Sequence, residues 1–398
     1  MPTSDVVTMA HGTGSSSSQR LIRDYFANCY GNKFLLTGDD AALLDFTGLN
    51  AKFLDPTASG TTFLDTKGPG ATLLKSTGSA TMVPDPAQDG VQKGVSPDAP
   101  PLRLAFSTDS YVVRPLFFAG GDIGRLAVAG TVNDVSTAGA RPLYLSLGFI
   151  LEEGFALAEL RRICESIAAC AREAGVLIVT GDTKVVERGH GDGVYINSTG
   201  IGVLPAGYTL SGRNCRPGDI ILLSGSLGDH GITIISARAG LSFNSPLTSD
   251  VAPLSAMVAA VLAAAPDVRC FRDPTRGGLA STLNELAAQS DTALVVDEAA
   301  VPVKDAVRGA CDLLGYDVFQ VANEGKMVAI VPPNQATAAL EAMRQSPYGT
   351  QAARIGQVLD GTRDSTTSLE NSRAYLQTAF GSLRLLDMLS GEQLPRIC

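Results

Sequence analysis

Short apolar runs bounded by turn residues alternate with longer stretches in which apolar side chains recur at roughly three- to four-residue spacing from residue 102 onward. The first kind predicts strands at Leu102–Ser107, Tyr144–Ile150, Val176–Thr180 and Val194–Val203. The second predicts helices at Gly124–Gly139 and Ala156–Ala174, with Gly139 and Gly175 as stop signals. The order β-α-β-α-β-β describes an α+β half. A second series begins near Pro205. Strands are expected at Asp219–Ser224, Ala293–Val296, Val318–Val321, Met327–Val331 and Ala353–Val358. Helices are expected at Gly231–Ala239, Leu254–Ala265, Gly278–Ser290 and Thr337–Gln345, with a helix or turn at Ala379–Leu389.

The chain before residue 102 has another character. Ser4–Met9 suits a short strand, His11–Ser18 a small-residue loop and Gln19–Cys29 a helix. Residues 48–100 are rich in Gly, Thr, Ser and Pro and repeat at a period of ten: Phe53-Leu-Asp-Pro-Thr, Phe63-Leu-Asp-Thr-Lys and Leu73-Leu-Lys-Ser-Thr fall in register. Three such copies are too short to bury a solenoid core, so the stretch reads as a flexible or weakly hairpin-forming insertion, or as a partner-docking loop. The expected division is an N-terminal segment 1–36, a first domain 37–204 carrying the insertion, an α/β domain 205–389, and a mobile tail 390–398.

Composition narrows the classes. With 398 residues, 45% hydrophobic, 18% charged and 42 glycines, the chain suits a two-domain α/β protein and not a disordered one. A net charge of −9 without a basic stripe argues against nucleic acid. The seven cysteines include no CxxC pair, and the three histidines no HxxxH, so a zinc site and a disulfide framework are disfavoured. Buried thiols in a reducing compartment, no basic-plus-apolar leader and no apolar run of about 18 residues suggest a cytoplasmic protein away from the membrane.

Four acidic motifs then stand out: Gly38-Asp39-Asp40-Ala41, Ser107-Thr108-Asp109-Ser110, Val132-Asn133-Asp134-Val135 and Arg272-Asp273-Pro274-Thr275-Arg276-Gly277-Gly278. Each places a carboxylate at a strand end, in a turn or on a following helix, positions that can converge on one sheet edge. Converging carboxylates repel unless a hard cation lies between them, and Mg²⁺ takes oxygens from Asp and phosphate together. Gly120-Gly121-Asp122-Ile123-Gly124 and Thr275-Arg276-Gly277-Gly278 bring glycines, and in the second case a cation, to helix starts suited to phosphate. Neither is a Walker loop or a dinucleotide fingerprint. Lys184 in Gly181-Asp182-Thr183-Lys184 and Glu324 in Asn323-Glu324-Gly325-Lys326 are candidates for proton exchange. His230, in a glycine turn, is either a ligand contact or a satisfied loop histidine. Cys398 ends the sequence; about eight residues of tail reach ~26 Å, enough to swing a thiol into a cleft.

Together with Ala10-His11-Gly12 and Pro395-Arg396-Ile397-Cys398, these motifs resemble the HypE family of hydrogenase maturation proteins, in the superfamily of aminoimidazole ribonucleotide synthetase, selenophosphate synthetase and thiamine-monophosphate kinase. The resemblance covers residues 7–46 and 101–398, and the terminal Pro-Arg-Ile-Cys separates it from the sister families. It implies two α/β domains and a homodimer through the first domain's sheet. It implies that Cys398, carbamoylated by a carbamoyltransferase partner (HypF), is dehydrated with ATP to a thiocyanate. That group becomes the cyanide ligand of a nickel–iron hydrogenase through a HypC–HypD scaffold. The resemblance assigns Asp40, Asp109, Asp134 and Asp273 to Mg²⁺ and ATP, with Asp182, Thr275 and Arg276 as further nucleotide contacts. It assigns Lys184 and Glu324 to proton handling beside Cys398. A small-molecule kinase or synthetase of the same superfamily is the alternative and would not need Cys398; a non-catalytic scaffold would need no acidic set. The glycine-rich start differs from the family's His-Gly-Ser-Gly-Gly, reading His11-Gly-Thr-Gly-Ser-Ser-Ser-Ser here.

Overall fold

The computed structural model describes residues 6–8, 11, 20–32, 103–241, 247–361, 369–388 and 396–398. Asp40, the loop 12–18 and the repeats at 48–100 lie outside the described residues.

Four strands form the first sheet: β1 (Arg103–Tyr111), β2 (Arg141–Glu152), β3 (Leu177–Val186) and β4 (Val194–Leu204), in the order β1-β4-β2-β3. Only β2 and β3 run parallel. Leu145, Leu147, Phe149 and Leu151 alternate along β2 into a core closed by α1 (Ile123–Thr137) and α2 (Leu157–Ala174). The opposite face has no cover within the described residues, and Leu104, Phe106 and Ile150 on it are 50%, 70% and 45% exposed. Asp122 caps α1 by accepting from the N–H groups of Gly124 and Arg125 at 2.8 and 3.0 Å, which accounts for the Gly-Gly-Asp-Ile-Gly motif. α1 is buried nearly all round because it lies between this sheet and the second half of the chain. Gly130 lets it approach β1: a Cβ there would stand 2.4 Å from the Tyr111 hydroxyl. Gly175 ends α2 in the left-handed conformation, as the sequence predicts.

The second sheet has seven strands: β5 (Ile220–Leu223), β6 (Cys270–Arg272), β7 (Ala293–Asp297), β8 (Val328–Val331), β9 (Ala353–Leu359), β10 (Arg373–Gln377) and β11 (Leu383–Leu385), in the order β11-β10-β7-β9-β5-β8-β6. β5 and β8 are buried at every position because helices cover both faces. α5 (Gly278–Ser290) packs on one face, and α4 (Ser255–Ala264) with α7 (Ala336–Gln345) on the other. α3 (Asp229–Ala239) and α6 (Asp305–Leu314) share a smaller core.

Several elements differ from the sequence expectation. Val318–Gln320 is a 3₁₀ turn, not a strand: Asp317 caps it by accepting from Phe319 N–H, a local bond that wins over β-propensity. α6 and β10 fall in stretches that the periodicity left without an element. Ala379–Leu389 holds β11, paired with β10, where a helix or turn was expected. β1 runs on to Tyr111 and β3 to Val186, so Asp109, Asp182 and Lys184 all lie on strands. Among the described residues, no helix is long and apolar enough to cross a membrane.

Candidate active site

Asp109 on β1, Asp134 in α1, Asp273 after β6 and Glu324 before β8 lie near enough to feel one another's charge. On β1, Ser107 and Asp109 share a face. The Ser107 hydroxyl donates to Asp134 Oδ2 on α1 at 2.9 Å, and Asp109 Oδ1 accepts from Ser110 N–H at 2.7 Å. Asn133, buried beside Asp134, ties the two halves together. Its amide donates to the Ala252 carbonyl at 3.0 Å and the Glu324 carbonyl at 3.4 Å, while its oxygen accepts from Leu254 N–H at 2.7 Å. Beyond β6 comes Asp273, then Thr275 and Arg276. Gly277 and Gly278, both with positive φ, open α5. A Cβ on Gly278 would lie 2.6 Å from the carbonyl oxygens of Phe319 and Val321, so the helix seats there only as glycine.

The electrostatics gather these groups into one site. Burial and then the Asp134 charge push the Asp273 carboxyl up to about 7. Burial, with Asp109 adding to it, raises Asp134 although Ser107 bonds to it. Glu324 is pushed well above the carboxylate range, first by burial and then by Asp273, Asp250, Asp109 and Asp134. Its Oε1 is buried without a hydrogen-bond partner. Mutually raised carboxylates are the donor set that a divalent cation relieves. Among the described residues no three such side chains are drawn close enough to cage an ion unaided.

Cys398 feels the charges of the same groups. Burial and then Glu324 raise its thiol pKa, while Arg276 opposes them. The residues around it are held in register, against the expectation of a tail with little to pack. Val112 N–H donates to the Cys398 oxygen at 3.0 Å and Arg114 N–H to the Arg396 carbonyl at 3.3 Å. The Arg396 guanidinium reaches the Val112 carbonyl at 2.9 Å, pairs with Asp192 and lies 5.8 Å over the Tyr195 ring. Ile397 is buried in the first domain's core. Asp192 carried no specific signal in the sequence; Arg396 stood in the terminal Pro-Arg-Ile-Cys motif and His230 in a glycine turn, neither with a partner assigned.

Asp182 and Lys184 lie elsewhere in the protomer. They are paired with each other at 2.7 Å on β3, in register with Gly148 and Ile150 on the open face of the first sheet. With His11, Phe26 and Tyr30 they line a separate cavity of about 260 Å³.

Lys326 and Asp250 form the wall behind Glu324. Asp250 Oδ1 accepts from Glu324 N–H at 3.1 Å, and Lys326 Nζ stands 3.0 Å from Asp250 Oδ2. Burial pushes the Asp250 carboxyl up, but Lys326, His230 and the Glu324 N–H outweigh it and hold it below the usual value. A depressed folded pKa stabilises above the unfolded value near 3.9, and that contribution is lost as pH falls through the folded value. Lys326→Met is therefore expected to lower unfolding free energy by about 3–5 kcal/mol at pH 7. Urea melts should show that deficit narrowing in acid, as the orphaned Asp250 takes up a proton.

The two sheets and the acidic set define a protein of the AIR synthase class. Residues 94–204 match the AIR synthase related protein, N-terminal domain, and 216–368 the AIR synthase related protein, C-terminal domain. The carbamoyl dehydratase HypE of Cupriavidus necator is 47% identical over 394 residues, covering 98% of this chain and 95% of its own. A crystal structure of the hydrogenase maturation protein HypE in complex with ATP superimposes with a TM-score of 0.81 at 45% identity, over 98% of this chain and 99% of the other. The crystal structure of a HypE–HypF complex aligns with a TM-score of 0.69 at 38% identity, over 93% of this chain and 99% of that one. This chain belongs to the HypE family.

Proposed function

We propose that this chain is an ATP-dependent carbamoyl dehydratase that converts a thiocarbamate on Cys398 to a thiocyanate, the source of the cyanide ligand in nickel–iron hydrogenase maturation. The observation that carries this reading is the anchoring of segment 396–398 against Val112, Arg114 and His230, where Glu324 and Asp109 raise the Cys398 thiol pKa and Arg276 opposes them. A kinase acting on a free small molecule has no use for a thiol held there.

The reaction follows from the groups present. The carbamoyl oxygen attacks the γ-phosphorus of ATP and ADP leaves, which turns a poor leaving oxygen into a phosphate ester. Loss of phosphate and of the nitrogen protons leaves the C≡N group on sulfur. Glu324, buried and with an Oε1 that has no hydrogen-bond partner, is the proposed proton acceptor. Asp109, Asp134 and Asp273, with Asp40 from outside the described residues, would hold Mg²⁺, which supplies charge neutralisation at the phosphates. Arg276, Thr275 and the amides opening α5 would receive phosphate oxygens.

The open face of the first sheet is the proposed homodimer surface, because Leu104 and Phe106 at one end of it and Ile150 at the other are exposed apolar side chains. Lys184 and Asp182 share that face, so their part in nucleotide binding and proton handling belongs to the assembled dimer. Phe106→Asp is expected to yield monomers in sedimentation, with loss of turnover. HypF is the proposed carbamoyl donor and a HypC–HypD complex the acceptor, all in the cytoplasm.

Intact-mass measurement tests the central claim. Incubation with carbamoyl phosphate, ATP and the transferase should add about 43 Da, falling to about 25 Da as ATP is consumed, and neither change should occur in Cys398→Ala. ATP hydrolysis without an adduct, using a transferase active on another acceptor, would overturn the reading in favour of a kinase.

A further inference from the structure

His230 is fully buried in the first turn of α3, and both its ring nitrogens are engaged. Nε2 is 2.8 Å from the carbonyl oxygen of Ile397, and Nδ1 is 2.8 Å from the Ser249 hydroxyl. A carbonyl only accepts, so Nε2 carries the proton. Burial depresses the ring's pKa, which keeps it neutral. Nδ1 must then accept from the Ser249 hydroxyl, whose oxygen in turn accepts from Val251 N–H at 3.2 Å. The tautomer is thus fixed by a chain running from backbone to backbone, and the Phe118 ring, edge to face at 5.5 Å, fixes the ring plane.

A buried histidine needs only some acceptor, and a local carbonyl is the ordinary one. Here the acceptor comes from the residue preceding Cys398, 167 positions away in sequence. Segment 396–398 is therefore gripped from two sides. The backbone of Val112 and Arg114 holds Cys398 and Arg396, and His230 holds Ile397. Arg238 adds a further bond to the Arg396 carbonyl. Ile397 fills a core that contains Ile234, Val251 and Ala322, so the same three-residue stretch is anchored by its side chain and its backbone together.

We propose that His230, oriented by Ser249, is a positioning residue that latches Ile397 and so aims the Cys398 sulfur at Glu324. When the segment leaves, the Nε2–H is stranded in a buried site, and the cost of stranding it favours return. His230 does not touch the reacting atoms. The proposal rests on the dehydratase reading for its effect on turnover but not for its effect on the thiol.

The test uses the full-length protein and a brief iodoacetamide pulse, with each cysteine resolved by peptide mass. His230→Ala should speed alkylation of Cys398 about tenfold, the equivalent of one lost buried hydrogen bond, and leave Cys29 unchanged. Conversion of the carbamoyl adduct to thiocyanate should slow by a similar factor while loading by the transferase does not. His230→Gln, whose amide can donate to the same carbonyl, should recover much of both. Ser249→Ala, which keeps the imidazole but frees its orientation, should fall between. Equal alkylation of Cys398 in wild type and His230→Ala, or a glutamine variant no better than alanine, overturns the proposal. Absence of the carbamoyl chemistry in wild type would remove the proposed function, and the alkylation contrast would still decide the latch.

Discussion

Asp134→Asn is expected to lower ATP turnover by two to three orders of magnitude, roughly 3–4 kcal/mol of lost transition-state stabilisation. The substitution keeps the acceptor for the Ser107 hydroxyl, so α1 should stay packed against β1. What disappears is a negative charge that raises its neighbour Asp273. The variant should still fold, still dimerise and still accept a carbamoyl group on Cys398, because none of these uses the acidic set. Nucleotide titration with and without Mg²⁺ checks the cause: the wild type should gain affinity with the ion and the variant much less. An Asp134→Asn enzyme with wild-type ATP turnover would remove this carboxylate from the nucleotide site.

Glu324→Gln is the second large effect, and it separates loading from dehydration. The glutamine fills the same space and leaves the Asn133 and Asp250 contacts intact, since both go to the Glu324 backbone. The carbamoyl adduct should form at the wild-type rate and then persist, with conversion slowed about 10²–10⁴-fold as expected for loss of a general base. Intact mass would show the heavier species accumulating in the presence of ATP. Rapid conversion in Glu324→Gln would assign proton removal elsewhere, with Lys184 the next candidate.

Much of the fold was legible because its elements are strongly patterned. α2 shows an apolar stripe with a glycine stop, and β5 and β8 are unbroken apolar runs. The misses have local causes. Asp317 caps a 3₁₀ turn inside what looks like a strand, and β10 is a five-residue strand whose parallel partner, β7, is remote in sequence. In the site, residue type and motif pointed to Asp109, Asp134, Asp273, Glu324 and Cys398, which the fold gathers. Lys184 and Asp182 carried the same kind of signal and lie on the open face of the sheet. Spacing along the chain does not encode which face of a sheet meets which partner. Nor could it reveal His230 as a contact of Ile397, because a single hydrogen bond between distant segments has no sequence pattern.

The environment of Cys398 fixes an order of events. A docked thiol, with burial and Glu324 raising its pKa, is held as S–H and is a poor nucleophile. On the proposed function, that favours loading of the thiol away from the place where its cargo is later consumed. Once carbamoylated, the sulfur would have no proton to lose, and a neutral thiocarbamate suits the half-buried position that the thiol occupies. In the proposed reaction the same burial that idles the empty carrier admits the loaded one, which would reserve ATP for cargo that has arrived.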